Sequence, residues 1–253
     1  MTSTIKIPAA IPRAAEGKVA AGANTVMAPA TAKAERKPSR ADELRINEIF
    51  FSLQGESSRV GLPTVFVRLT GCPLRCGYCD TAYAFHEGKT RQIEDVMVEV
   101  ATHRTRYVCV TGGEPLAQKN CLGLLSRLCD ADYSVSLETS GAIDIAEVDA
   151  RVSRIMDIKT PGSREVDKNR WENLALLTAH DEIKFVITSE VDYDWAHDLM
   201  RDKKLNDICP ILFSPSFTEI SPAQLAEWVL RDKLDVRMQV QLHKVIWGEK
   251  RGV

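Results

Sequence analysis

The sequence has no run of about 18 apolar residues, which argues against a membrane-spanning helix. It has almost no net charge, −2 from 33 Lys and Arg against 35 Asp and Glu. With no basic run beyond a few residues in the N-terminal tail, neither nucleic acid nor an anionic membrane is expected as the main partner. Aromatic residues are scarce at 6%, and residues 1–41 contain none. That segment instead carries eleven alanines between positions 9 and 34 and prolines at 8, 12, 29 and 38. It cannot bury enough apolar area to offset its ordering entropy, and it reads as a disordered Ala/Pro-rich tail. It lacks the apolar core of a secretory signal, and Glu16 and Glu35 weaken an organelle-targeting reading. Cysteine is also sparse: seven residues, an odd number, do not make a secreted disulfide framework. A reducing, cytoplasmic setting is expected, with Cys109, Cys121, Cys129 and Cys209 as small buried hydrophobes.

Within residues 42–253 short β-branched and aromatic runs alternate with helix-length stretches. The strands expected are 46–52, 64–70, 107–112, 134–139, 154–159, 182–188, 210–215 and 236–241, and the helices 91–103, 116–130, 191–204 and 222–233. Pro222 after Ser221 is a good helix start. Several strands, such as YVCVTG, are nearly continuous apolar runs, as parallel strands covered on both faces should be. The pattern predicts an α/β fold, a closed or partial (β/α) barrel whose functional residues sit on loops at the C-terminal strand ends. Five such ends carry GCPLRCGYCD, TGGEP, ETSG, IKTPG and FSPSF. That convergence is harder to explain by packing than any one motif.

The sharpest signal is Cys72, Cys76 and Cys79 in CPLRCGYCD, three thiols in eight residues with no fourth nearby. Soft thiolates select an iron-sulfur cluster, zinc or Cu(I). His86 could complete a Cys3His zinc site, although the spacing fits no common finger pattern.

CPLRCGYCD resembles the cluster motif of the radical S-adenosylmethionine superfamily, with Tyr78 as the aromatic residue before the last cysteine and TGGEP as the glycine-rich stretch that follows. The resemblance implies a [4Fe–4S] cluster on Cys72, Cys76 and Cys79, S-adenosylmethionine on the remaining iron, and a radical that takes hydrogen from substrate. The stretch SLQGES upstream of the cysteines, the Asp80-Thr81 pair and LHKVIWGEKRG resemble, more narrowly, the 7-carboxy-7-deazaguanine synthase family, from about Arg45 to the C-terminus. That resemblance implies ring contraction of 6-carboxy-5,6,7,8-tetrahydropterin with loss of ammonia, in queuosine or deazapurine biosynthesis, by a homodimer reduced by a donor such as flavodoxin.

Carried over motif by motif, the resemblance places the pterin against Leu53, Gln54, Gly55, Glu56, Arg68, Thr111 and His243, and Mg2+ on Thr81. It places S-adenosylmethionine against Tyr78, Cys79, Asp80, Gly113, Ser140, Asp157, Ile158, Lys159, Ser214, Pro215, Ser216 and Phe217. No side chain is expected to act as a catalytic acid or base. Read on their own, Gln54 and Glu56 are equally turn residues, and Thr81 is equally an N-cap. Arg68 sits in an apolar strand, where an unpaired charge is costly, so it needs a partner. Ten residues follow His243, and Val253 is assigned no role. A glycyl-radical-enzyme activase and a non-catalytic iron-sulfur or zinc module remain as alternatives. The first would leave SLQGES and Asp80-Thr81 unexplained, and the second would consume no S-adenosylmethionine.

Overall fold

The computed structural model describes residues 42–217 and 219–253; the tail expected over 1–41 lies outside them. The strands β1 (Glu43–Leu53), β2 (Pro63–Leu69) and β3 (Lys89–Gln92) come first, followed by α1 (Ile93–Thr102), β4 (Tyr107–Gly112) and α2 (Cys121–Asp130). Next are β5 (Ser134–Thr139), β6 (Ser153–Asp157), β7 (Glu182–Ile187), α3 (Glu190–Lys203) and β8 (Ile211–Pro215). Then come α4 (Pro222–Arg231), β9 (Arg237–Met238) and α5 (Leu242–Trp247).

Among the described residues these strands form one sheet in the order β3-β1-β2-β4-β5-β6-β7-β8-β9. Pairing is antiparallel at the β3-β1-β2 end and parallel from β2 through β9. The sheet is a partial barrel. Its end strands do not pair with each other; instead the Ser57 amide donates to Gln239 Oε1 (2.8 Å) and the Leu242 amide to the Gly55 carbonyl (3.0 Å). Contacts between the loop after β1 and the segment after β9 require the sheet to curl.

Helix packing follows the sequence pattern. Val96 and Val100 of α1, Leu124, Leu125 and Leu128 of α2, Tyr193, Ala196 and Met200 of α3, and Leu225 and Trp228 of α4 are buried in one core with the strands. These residues recur at three- and four-residue spacing, which puts each set on one helix face. Tyr193 is fully buried and its hydroxyl is satisfied, donating to the Trp228 carbonyl (3.0 Å) and to Asp232 (2.9 Å). The α4 start is as expected: Pro222 occupies the first turn, and Ser221 Oγ accepts from the Gln224 amide at 3.1 Å. Cys109, Cys121, Cys129 and Cys209 are free and buried.

Four details differ from the sequence expectation. The helix expected from 116 begins at Cys121, because Pro115 first sets a 3-10 turn, Pro115–Ala117. The last strand shrinks to Arg237–Met238, since Gln239 turns inward to hold both the Ser57 amide and Ser214 Oγ. The polar edge strand KTRQ and the short helix LHKVIW were not anticipated; neither carries enough periodicity to read.

Candidate active site

The rim loops at the C-terminal strand ends are tied to one another before any ligand is considered. Glu114 of TGGEP is fully buried, and its carboxylate accepts from the Leu116 amide (3.0 Å), Thr139 Oγ1 (3.0 Å), the Ser140 amide (2.7 Å) and Ser140 Oγ (2.5 Å). This joins the loop after β4 to the loop after β5. The Glu114 amide in turn donates to the Gly71 carbonyl at 2.8 Å. A Cβ on Gly113 would lie 2.3 Å from the Gly71 oxygen and 2.7 Å from Cys72 Cβ, so a glycine is what lets the two loops approach. Asp192 of α3 similarly ties down IKTPG, accepting from Thr160 Oγ1 (3.0 Å) and the Gly162 amide (2.8 Å). That loop lies over the cysteines, where the Gly77 amide donates to the Ser163 carbonyl at 3.0 Å.

The stitched rim encloses a cavity of about 500 Å³, the size of a small-molecule site. Of the residues expected to bind the pterin, Leu53, Gln54, Glu56, Arg68, Thr111 and His243 line it. So do Cys72, Cys76, Tyr78, Cys79, Asp80 and Thr81 of the cysteine loop. Gly113, Ser140, Asp157, Lys159, Ser214, Pro215, Ser216 and Phe217 complete the expected wall. Two expected residues are not on the wall. The Ile158 side chain packs into the core, because the chain there alternates and its neighbours Asp157 and Lys159 face the cavity. Gly55 sits behind His243, where a Cβ would come within 2.2 Å of the imidazole Nδ1.

The sequence reading missed Glu138, Lys184, Gln241 and Lys244, which also line the cavity. Glu138 lies in the ETSG strand end, from which only Ser140 was taken, and it accepts from Thr111 Oγ1 at 2.9 Å. Lys184 is a charge flanked by the apolar Ile183 and Phe185–Ile187, the same signal that singles out Arg68. Gln241 and Lys244 gave no such signal. Val253, which had been set aside, lines the cavity together with Glu249.

Several of the charged pairs in the structure lie at the wall. Arg68 Nε meets Glu48 Oε1 at 2.8 Å, its register partner on β1, and Tyr83 donates to the same oxygen at 2.9 Å. Lys184 meets Glu56 at 2.7 Å, Lys159 meets Asp157 at 2.9 Å, and Lys244 meets Asp80 at 2.8 Å. Burial alone would raise Glu56 and Asp80, but Lys184 and Lys244 respectively outweigh it, and both carboxyls are held below their usual range. Burial lowers His243, favouring the neutral imidazole.

The residues present fit a cluster and a polar organic ligand. Cys72, Cys76 and Cys79 are free, half-buried thiols on one loop facing one cavity. Burial pushes Cys76 up to about 11, with Lys159 pulling against it. His86, which a Cys3His zinc site would need, is exposed beside Phe85 and off the cavity wall. Gln54 Nε2, the Tyr78 hydroxyl and Asp157 Oδ1 are buried without a hydrogen-bond partner, and all three residues face the cavity. Buried polar atoms are seldom left so unless something binds them. Phe50 and Phe66 stack in parallel at 4.9 Å, giving the wall a flat apolar portion.

Residues 66–205 match the family model of the radical SAM superfamily. The chain is 47% identical over 214 residues to a 7-carboxy-7-deazaguanine synthase of Chlorobaculum tepidum, covering 83% of this chain and 97% of that protein. It is 42% identical over 226 residues to the Koribacter versatilis enzyme of the same name, covering 83% of this chain and all of that one (100%). The crystal structure of QueE from Escherichia coli matches the fold with a TM-score of 0.66 at 24% identity, over 79% of this chain and 95% of that one. With the three cysteines, the glycine-rich rim and the SLQGES loop on one cavity wall, the chain belongs to the 7-carboxy-7-deazaguanine synthase family of the radical SAM superfamily.

Proposed function

We propose that the chain converts 6-carboxy-5,6,7,8-tetrahydropterin into 7-carboxy-7-deazaguanine with loss of ammonia, residues 42–253 acting as one radical S-adenosylmethionine domain. The observation that carries this reading is that the three cysteines and the Gln54–Glu56 loop face one cavity of about 500 Å³. Cys72, Cys76 and Cys79 would hold a [4Fe–4S] cluster, beside S-adenosylmethionine placed against Tyr78, Gly113, Ser140, Asp157, Lys159 and residues 214–217. When bound, cluster and S-adenosylmethionine supply the radical that takes a hydrogen atom from substrate.

The chain's own residues orient the substrate and exclude water. Glu56, ionised by its pair with Lys184, accepts hydrogen bonds from N–H groups of the pterin edge. Gln54 turns its Oε1 toward its own loop, accepting from the Gly55 amide at 2.9 Å, which leaves Nε2 as the donor toward the ring. Phe50 and Phe66 give the ring a flat surface. Arg68 and a magnesium ion on Thr81 would neutralise the substrate carboxylate. Supporting the magnesium role, Thr81 occupies the N-cap of the turn Ala82–Phe85 but makes no side-chain cap bond, so its hydroxyl is not committed there.

A flavodoxin-type electron donor, homodimeric assembly and a cytoplasmic location complete the proposal. All seven cysteines are free, and no helix among the described residues is long and apolar enough to cross a membrane. The test is anaerobic reconstitution with iron and sulfide, reduction, and addition of S-adenosylmethionine, magnesium and 6-carboxytetrahydropterin, with product followed by mass spectrometry. Product that disappears in Cys76→Ala is expected. Cofactor cleavage without pterin turnover would overturn the substrate and point to a protein substrate, as an activase requires.

A further inference from the structure

Lys184 is a cation among Ile183, Phe185, Val186 and Ile187 of β7, and its side chain is largely buried at the cavity wall. Its ammonium lies 2.7 Å from Glu56 Oε2 and 3.9 Å from Asp157 Oδ2. Asp157 has a nearer partner of its own in Lys159, at 2.9 Å. Two carboxylates and two ammoniums thus alternate along the wall, from the loop after β1, through β7, to the end of β6. The other Glu56 oxygen, Oε1, accepts from Gln241 Nε2 at 2.9 Å.

A buried carboxylate without a cation is strongly disfavoured. Among the described residues Lys184 is the cation at hydrogen-bond distance from Glu56. The other charged or titratable groups facing this pair are Asp80 of the cysteine loop and His243 of α5 toward Glu56, and Asp157 of β6, Lys159 after it, Glu138 of β5 and Asp80 toward Lys184. Asp80 opposes the ionisation of Glu56.

We propose that Lys184 is a positioning residue for substrate recognition: its salt bridge holds Glu56 as a carboxylate, aimed into the cavity as a fixed acceptor for the ring N–H donors. This rests on the reading that the cavity takes a pterin. It adds that affinity for the ring depends on a strand residue 128 positions away from the loop that reads it. Burial and Lys184 act on Glu56 in opposite directions, burial raising its pKa and Lys184 lowering it, with the net shift downward. With a neutral residue at 184, burial and Asp80 are opposed by the Gln241 hydrogen bond and no longer by a cation at hydrogen-bond distance. Glu56 then keeps its proton to higher pH than in the wild type and presents a donor where an acceptor is needed, until rising pH removes it.

The experiment is calorimetric titration of 6-carboxytetrahydropterin into the anaerobically reconstituted holoenzyme. It is run at about pH 6.5 and about pH 8.5, the lower favouring and the higher opposing protonation of a buried carboxyl, with S-adenosylmethionine affinity measured on the same samples. Taking the ratio of wild type to variant at each pH cancels the ligand's own titration. Lys184→Met is expected to weaken pterin binding about 30-fold at the lower pH and clearly less at the higher one, the factor for one unmade charged hydrogen bond. Cofactor affinity should stay within about threefold, because Asp157 keeps Lys159. Lys184→Arg should restore most of the affinity.

Glu56→Gln should weaken pterin binding comparably but without the pH dependence, and adding Lys184→Met to it should change little further, as for two groups acting as a unit. Unchanged pterin affinity in Lys184→Met would overturn the proposal. So would parallel loss of pterin and cofactor affinity, which marks a structural role, or independent, multiplying effects of the two substitutions. A wild-type holoenzyme that binds cofactor but no pterin refutes the substrate reading itself, and that result is visible before any substitution is made.

Discussion

Glu114 is the point at which the fold and the site depend on each other most directly, and Glu114→Gln isolates it. The substitution keeps the shape of the side chain and replaces one oxygen by an NH2 group. Oε1 takes the Leu116 amide, Oε2 takes the Ser140 amide and hydroxyl, and Thr139 Oγ1 reaches both. The hydroxyls can rotate and accept instead of donate, but the two backbone N–H groups cannot. Placing the new NH2 at the Oε1 position therefore strands the Leu116 amide, and placing it at Oε2 strands the Ser140 amide. One buried N–H left unsatisfied, with weaker bonds from a neutral acceptor, amounts to about 2–3 kcal/mol. For a domain of this size that is a fall in melting temperature of about 4–12 °C. Glu114→Ala, which abandons all four donors, should fall further. Anaerobic thermal unfolding of the reconstituted protein reads the shift, and S-adenosylmethionine titration reads the loosening of the Ser140 loop. A Glu114→Gln protein that melts within about 1 °C of wild type, well under this range, would refute the reasoning that the carboxylate anchors both loops.

Asp181→Asn breaks a buried pair that is not on the cavity wall, in which Arg154 donates to both oxygens (2.9 and 2.6 Å) and Thr178 adds its amide and hydroxyl. It should lower stability by about 3–5 kcal/mol while leaving pterin and cofactor affinities unchanged, measured by denaturant unfolding and titration. Burial raises Asp181 but Arg154 outweighs it, so its folded pKa is depressed. The stability difference from Asp181→Asn is therefore full at neutral pH and shrinks as pH falls below about 4, the unfolded value, and through the folded pKa; a difference that persists undiminished in acid would refute the assignment. Gly113→Ala forces a Cβ against the Gly71 carbonyl and Cys72, so iron and sulfide content after reconstitution should drop, and full cluster loading with wild-type cofactor affinity would contradict it. Thr81→Ala should raise the magnesium concentration for half-maximal turnover about tenfold without changing S-adenosylmethionine affinity, and an unchanged magnesium dependence would remove Thr81 from the metal site.

What could be read from the sequence was local. Continuous β-branched runs such as YVCVTG and SVSLET mark strands buried on both faces, and they coincide with β4 and β5. Ser221-Pro222 fixes the start of α4 through a cap that needs only neighbours in the chain. The spacing of the three cysteines by itself marks a soft-metal site, and it is the resemblance to the radical S-adenosylmethionine superfamily that gives them and TGGEP their chemistry. The structure was needed for whatever depends on curvature and distant partners. Gln239 looks like part of a strand and is instead a bridge between Ser57 and Ser214. Glu114 looks like a motif glutamate and is a buried knot between two loops. Ile158 lies between two cavity residues in the chain yet points into the core. The pairing of Lys184 with Glu56 is set by neither local propensity nor hydrophobic period. Those patterns are satisfied over a few residues, whereas a salt bridge across a curled sheet exists only once every strand between its ends has been placed.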